Sequence, residues 1–583
     1  MIQSSRRAML IGHRSSHKLL LLPGLAFLIL FFAFPVVRLL LLSLQDVETH
    51  TPSIAQYAKL FRSDVYLRVL LETFRIACAT SVISLCVGYP LAFWLARLSE
   101  TTRNRVVLLV VLSLWTSYLV KTFSWMLILG HAGLINRFLL GIGLPELDLL
   151  HNEVGVMIGM VHAQLPLAVL TMLPVMIEID RKLMQAAGSL GADAAQTFWL
   201  VFFPLSMPGV TAAGLLTFIS SLGFFIVPAL LGGRQQTMLA QLVISQVQEL
   251  LDWSFAGAIA TLLLATALAF CLIYDRFFGL STLAGAAQAD VGRASSKLRR
   301  VAFVLLHVLA NATTMLGPRR GAIGPLSIIA AMTLIFLAAP VLIIVPIAFT
   351  KSQFLEFPPP GFSLQWFAAY FSSDLWLAAT VRSFGVGAAT AILTTTLAGF
   401  AALTLRNMSP RWGKVLFAFF IGPMIVPRIV IGVGLFYLFA QLGLVATDVG
   451  LVVGHTVVAM PYSFIAIASV LKTYDWRLDQ AASILGANRY HTLRHITVPL
   501  IRNGIIAAML FAFVTSFDEL TIAIFVSGGI KTTLPKQMWD DMILQLNPTL
   551  AAVSVVTLTV VTTALVAVQR FRQRSSTSVQ RPA

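Results

Sequence analysis

Charged residues are scarce in this 583-residue sequence: Asp, Glu, Lys and Arg together make up 11%, against 58% hydrophobic residues. A soluble globular chain carries roughly 25% charged residues, so the polar surface needed to coat a water-soluble fold is missing. That excludes a disordered chain and a soluble enzyme whose apolar residues only fill a core. Cysteine is nearly absent. Cys78, Cys86 and Cys271 all lie in apolar runs and none has metal-ligand spacing, which excludes a secreted disulfide scaffold. No Gly-x-x-x-x-Gly-Lys-Ser/Thr stretch occurs, so the chain has no P-loop with which to bind ATP. His491 and His495 have the spacing of a metal-binding helix, but no Glu follows the first His. Arg489 and Arg494 surround them, which reads as a solvated basic face. No metal site and no catalytic group is expected.

What is present is apolar sequence in long runs. A hydrocarbon core about 30 Å thick takes about 20 apolar residues in a helix, and twelve segments qualify. In the first half they lie near 19–42, 76–97, 106–129, 152–176, 204–230 and 255–275; in the second near 325–349, 379–404, 415–442, 449–471, 503–527 and 549–569. The first is too long for a cleaved signal peptide and no small-residue cleavage site follows it. An all-α polytopic membrane protein is expected.

Sidedness follows from the basic residues. With the N-terminus, the even-numbered connections and the C-terminus on one side, those segments hold 28 of the 41 Lys and Arg but 8 of the 24 Asp and Glu, a net of +20. Spans and opposite-side loops hold the remaining 13 basic and 16 acidic residues, a net of −3. This is the positive-inside pattern, with both termini cytoplasmic. The net charge of +17, which would otherwise point to nucleic acid, is thereby explained as topology.

The chain also repeats itself. At an offset of 295, Gly155, Gly159 and Pro166 match Gly450, Gly454 and Pro461, and Asp180 matches Asp475. Leu190-Gly191-Ala192 matches Leu485-Gly486-Ala487, and Phe218 and Ser221 match Phe513 and Ser516. Two six-span copies therefore share one orientation and enclose a pathway at their interface. The expected division is a cytoplasmic N-terminus 1–18, a first repeat 19–275, a cytoplasmic linker 276–324, a second repeat 325–569 and a cytoplasmic C-terminus 570–583. Within the linker, Val301 to Leu316 is apolar, sixteen residues or so long, and reads as lying on the membrane or folded into the linker.

Before the fifth span of each copy stands one pattern. Gln185-Ala186-Ala187 leads to Gly191 and then Pro204; Gln480-Ala481-Ala482 leads to Gly486 and then Pro499. Small Ala residues allow close approach of another surface, Gly permits a sharp turn, and Pro suits the first turn of the next helix. A helix, a turn and a second helix are expected at the cytoplasmic face.

These connections resemble the Glu-Ala-Ala loop of ABC importer permeases, and the resemblance covers both halves apart from the linker. Gln185 and Gln480 stand where the family usually has Glu, which keeps hydrogen bonding and loses the charge. Phe224, Ile226, Val227 and Pro228, running into Leu230-Leu231-Gly232-Gly233, resemble the first permease of spermidine/putrescine importers. Ser516-Phe517-Asp518-Glu519, Ser527-Gly528-Gly529 and Met538-Trp539-Asp540-Asp541 resemble the second. The resemblance implies two tandem permease bundles of the type I importer fold in a bacterial inner (plasma) membrane. It implies a solute-binding protein outside, and two copies of a cytoplasmic ATPase docked at 185–191 and 480–486, with ATP and Mg bound by those subunits alone. It also implies a polyamine cargo, with ferric iron as the competing solute. From a different class, an ion-gradient-driven transporter of twelve spans remains open on composition alone.

Asp518 and Glu519 fall inside the eleventh segment, where a carboxylate costs several kcal/mol unless paired or hydrated. Gly223 and Phe224 match them in the first copy, so the acidity is one-sided. They read either as a path for a cationic solute or as partners of a basic residue such as Arg428. Trp539, Asp540 and Asp541 read either as an anionic, aromatic vestibule or as an interfacial anchor beside a solvated loop. Reporter fusions at residues 320 and 410 are expected to give a cytoplasmic signal; an external signal at either would invert the second half.

Overall fold

The computed structural model describes residues 19–46, 51–278, 324–405, 408–529 and 531–579. The expected N-terminal segment and nearly all of the linker, with its apolar stretch 301–316, lie outside them. Among the described residues there are helices and connections, with no strand. Each of the twelve apolar segments is mainly helical. Ten helices are long and apolar enough to cross a membrane, Pro410–Ile425 with Arg428–Leu442 makes a bent eleventh, and Thr549–Thr563 is a shorter apolar stretch.

Several spans differ from expectation in shape. The third and ninth are not continuous helices. Glu100–Trp115 and Tyr118–Leu129 are separated by extended Thr116 and Ser117, and Pro410–Ile425 meets Arg428–Leu442 at 93°. In the second case Pro427 pushes Val426 out of the helical region, at ψ 127°. In the first the Ser117 hydroxyl accepts from Leu119 N–H at 3.3 Å and caps the new helix. The fifth and eleventh spans begin earlier than expected and stop at Leu222 and Phe517; short helices Ile226–Leu231 and Thr521–Val526 follow. The second span starts at Asp64, well before its apolar part.

The duplication is complete in three dimensions. Helices starting at 64, 100 and 118 recur 310 positions later, at 374, 410 and 428, whereas those starting at 153, 203 and 226 recur 295 later, at 448, 498 and 521. The register changes because the first copy carries an extra helix, Leu134–Gly141, between its third and fourth spans. In each copy the second, fourth and fifth spans form an inner trio: Asp64–Arg97, Glu153–Glu178 and Phe203–Leu222, then Asp374–Leu405, Asp448–Thr473 and Val498–Phe517.

The two bundles do not simply face one another, because each lends its first helix to the other. Leu19–Leu42 packs on Arg428–Leu442 of the second copy, with Phe31 and Phe439 ring centroids 6.3 Å apart. Pro325–Ala348 packs on Asp64–Arg97 and Tyr118–Leu129 of the first, where Trp94 Nε1 donates to Ser327 Oγ at 3.2 Å and the Trp125 and Phe336 rings lie 5.2 Å apart. Lipid offers no hydrophobic drive for helix association, so such contacts rest on close packing over small residues. A Cβ at Gly434 would stand 3.1 Å from the Pro35 carbonyl oxygen of the exchanged helix. Gly434→Leu is therefore expected to cost about 1–3 kcal/mol by overpacking and to lower the melting temperature of the purified chain. Gly385→Leu, at a helical position with nothing within 4 Å, is expected to leave it unchanged.

Candidate functional site

Four helix breaks meet where the copies touch. Gly223, at the end of the first copy's fifth span, abuts Pro427 of the second; a Cβ there would lie 3.2 Å from the proline Cβ. The repeat-related pair is Asp518 and Ser117, which line one small pocket together. One seam contact is thus apolar and close, its counterpart polar. Glycine gives the apolar side its close approach, since a Cβ there would require the proline to yield by a few tenths of an ångström.

The seam surrounds a cavity of about 280 Å³. Its first-copy wall includes Trp115, Tyr118, Ser220, Gly223 and Phe224; its second-copy wall includes Arg428, Tyr462, Phe511, Thr515 and Asp518. Asp518 is the one carboxylate among the lining residues and Arg428 the one cation. Arg428 Nη2 lies 3.4 Å from the Tyr462 hydroxyl oxygen, to which it donates. No ion pair within 4.0 Å joins Arg428 to Asp518 or Glu519 among the described residues. Rings close the cavity from both sides: Tyr118 against Phe224 at 5.0 Å and Trp115 against Phe511 at 5.7 Å.

The other acidic candidates stand elsewhere. Glu519 is fully buried and does not line the cavity; its Oε2 accepts from Ile522 N–H at 2.7 Å and so caps the short helix Thr521–Val526. Trp539, Asp540 and Asp541 belong to the helix Leu534–Leu544, which packs on Tyr118–Leu129. Asp540 accepts from Lys536 Nζ at 2.6 Å, Asp541 from Gln537 Nε2 at 2.9 Å, and the Trp539 ring meets Phe225 at 5.4 Å. None of the three lines the cavity, so the geometry brings together Asp518 alone of the five.

Lys121 escaped notice in the sequence. It sits in an apolar run on the first copy's Tyr118–Leu129 helix, 2% exposed, and its Nζ makes no hydrogen bond. The signal was available: Lys121 aligns with Ile431 only in the 310 register, which a search at 295 does not sample.

The two Gln-Ala-Ala connections fold alike. Asp180 accepts from Lys182 N–H at 2.9 Å and starts the helix Arg181–Ser189; Asp475 accepts from Arg477 N–H at 3.0 Å beside the helix Arg477–Ile484. Each ends at a glycine in the left-handed region, Gly191 at φ 88° and Gly486 at φ 86°. Gln185, Ala186, Gln480 and Ala481 are exposed, while Ala482 is buried. Leu190, Ile484 and Leu485 are 85–90% exposed, an apolar surface uncovered at both connections.

The anchoring differs between copies. Asp479 accepts from Tyr474 Oη at 2.6 Å and from Thr497 Oγ1 at 3.3 Å, and burial together with that carboxylate pushes the Tyr474 phenol up to about 12. In the first copy apolar Ile179, Met184 and Phe202 pack together in the equivalent places. Pro204 and Pro499 stand in the first turn of Phe203–Leu222 and Val498–Phe517, as expected, but these helices continue from the preceding turns without a break. Each follows one wide turn, Phe198–Phe202 and Leu493–Thr497, inside a helix running Ala194–Leu222 or Tyr490–Phe517. Proline has no N–H to give, and the wide turn accommodates the gap.

Residues 88–281 and 394–577 each match the family described as binding-protein-dependent transport system inner membrane component. The chain is 30% identical over 232 residues to the spermidine/putrescine transport system permease protein PotB of Haemophilus influenzae, covering 40% of this chain and 75% of that one. It is 31% identical over 226 residues to the putrescine transport system permease protein PotI of Escherichia coli K12, covering 38% and 80%. A solved bacterial alginate ABC transporter in complex with its alginate-bound periplasmic protein aligns with TM-score 0.40 at 16% identity, over 47% of this chain and 96% of that one. Each relative spans about two-fifths of this sequence while most of its own length is used, and the family is matched twice over 65% of the chain, taking 194 and 184 of 583 residues. The chain belongs to the inner-membrane permeases of binding-protein-dependent ABC importers and carries two of them fused in tandem.

Proposed function

We propose that this permease takes up a small organic cation, a polyamine such as putrescine or spermidine, by alternating access at the seam between its two copies. One observation carries this reading: Asp518 is the carboxylate of a largely apolar cavity whose wall includes the rings of Trp115, Tyr118, Phe224, Tyr462 and Phe511, with Arg428 held by Tyr462. A carboxylate among aromatic faces suits an ammonium group, which gains charge pairing and cation–π contact together. The names of PotB and PotI support the same solute class. By this reading two copies of a cytoplasmic ABC ATPase seat on the connections at Gln185 to Gly191 and Gln480 to Gly486, and an extracytoplasmic binding protein delivers the solute. Both termini then lie in the cytoplasm, on the side rich in Lys and Arg.

Asp518→Asn is expected to lower kcat/KM for labelled putrescine by about tenfold or more, since a hydrogen bond to a charged group contributes about 1.5–3 kcal/mol. Glu519→Gln, which keeps an acceptor for Ile522, is expected to retain uptake. Normal putrescine uptake by Asp518→Asn would refute the reading, and uptake of labelled ferric ion in place of putrescine would select the iron alternative. Gly191→Val with Gly486→Val forces L residues into the left-handed region at about 1–2 kcal/mol each. That double variant is expected to insert normally and to lose solute-stimulated ATPase activity in the assembled transporter.

A further inference from the structure

We infer that the second copy binds a phospholipid with a zwitterionic, amine-bearing headgroup, that of phosphatidylethanolamine, in a groove between its second and fourth spans. The phosphate faces Arg382, the ammonium faces Asp448, and an acyl chain lies along the apolar floor.

The groove holds about 670 Å³ and runs between Asp374–Leu405 and Asp448–Thr473. Arg382 and Asp448 are its charged residues, and every other lining residue is Ala, Gly, Val or Leu. From Arg382 to Leu393, both in the lining, the helix advances about 16 Å at 1.5 Å per residue. That is about half of a hydrocarbon core about 30 Å thick. The groove therefore offers a charged head and an apolar stretch one leaflet deep. Val381, Ile392 and Val449 stand 59–70% exposed on the same two spans, so it opens on a surface that suits hydrocarbon.

The other copy treats the same place differently. In the 310 register Glu72 and Arg75 stand for Arg382 and Gly385, and in the 295 register Glu153 stands for Asp448. Arg75 bridges both acids, with Nη2 2.8 Å from Glu72 Oε1 and Nη1 2.8 Å from Glu153 Oε1. A side chain thus ties the two spans where the second copy has a glycine. Gly385 lies inside a helix, and a Cβ there would meet nothing within 4 Å. Glycine weakens a helix interior relative to alanine, and no close approach of the chain calls for it here. Its effect is to leave the groove open.

The charges select the headgroup. Arg382 Nε donates to Asp448 Oδ1 at 2.9 Å and Nη1 donates to the Thr532 carbonyl at 3.5 Å. The Arg382 side chain is 19% exposed and that of Asp448 61%. Together they carry no net charge, so they do not favour an anionic lipid; they form a dipole with the cation inside and the anion outside. A phosphoethanolamine group has the complementary order, phosphate beside the glycerol and amine at the tip. A guanidinium suits phosphate, and a primary ammonium can donate to the carboxylate, which a quaternary one cannot.

The test uses the detergent-purified full chain with one lipid added at a time: phosphatidylethanolamine, phosphatidylcholine or phosphatidylglycerol, all with the same acyl chains. Phosphatidylethanolamine is expected to raise the melting temperature most, because a ligand held by the folded chain alone stabilises it by mass action. Gly385→Leu, which fills the groove, is expected to melt with the parent in lipid-free detergent and to lose the rise. Asp448→Asn is expected to weaken the apparent affinity for phosphatidylethanolamine about tenfold and to bring it level with phosphatidylcholine. An equal rise in Gly385→Leu and the parent, equal rises with all three lipids, or the largest rise with phosphatidylglycerol would each overturn the inference. So would a full rise with glycerophosphoethanolamine, which has the headgroup and no acyl chain. Weaker capture of the solute-binding protein by Gly385→Leu, with no lipid effect in the parent, would overturn it and assign the groove to that protein. None of these outcomes depends on which solute is carried.

Discussion

Interrupting a helix inside a membrane leaves backbone N–H and C=O groups with no water to satisfy them, and most of this molecule is organised around that constraint. Two spans in each copy are broken, and all four breaks are gathered at the seam between the copies. The freed donors are met locally: Ser117 serves Leu119 and Glu519 serves Ile522. Irregular backbone is tolerable where it lines a cavity, and here it does. The price of that arrangement is a fully buried carboxylate at Glu519, whose second oxygen has no partner among the described residues.

The exchanged first helices bind the breaks into one body. Leu19–Leu42 lies on the second copy and Pro325–Ala348 on the first, so neither bundle is complete by itself. Contacts there are small against large: Gly422 under Phe32, Gly434 under Pro35, Gly24 under Phe420. Such an interface holds the two copies together by close packing, with few charges in it.

The connections and the cavity are two ends of single helices. Ala194–Leu222 runs from just beyond Gly191 to Gly223, and Tyr490–Phe517 from just beyond Gly486 to Asp518. A helix of 29 residues is about 43 Å long at 1.5 Å per residue. A displacement at either exposed turn therefore has a rigid route to the seam. The two routes are not equivalent, since one connection is anchored by Tyr474, Asp479 and Thr497 and the other by apolar packing.

The apolar runs, the positive-inside bias and the repeated Gly, Pro and Asp positions were legible in sequence because each depends on local composition or on a fixed spacing. So was the turn at Gly191 and Gly486, because only glycine enters that backbone region without strain. The kinks were partly legible, since Pro427 forbids helix at Val426, but the break at Thr116 and Ser117 carries no proline and gave no sign. Glu519 looked equivalent to Asp518 because the two are adjacent; a helix break sends one to the cavity and the other to a backbone cap. Asp540 and Asp541 looked free because Lys536 and Gln537, four residues earlier, pair with them only once that stretch is helical. What the sequence determined by itself was the class, the duplication and the two exposed turns. Which copy receives each first helix, which acid faces the cavity and which cation shares that cavity were decided only by the tertiary structure, because those arrangements join residues tens to hundreds of positions apart through the packing of the two copies.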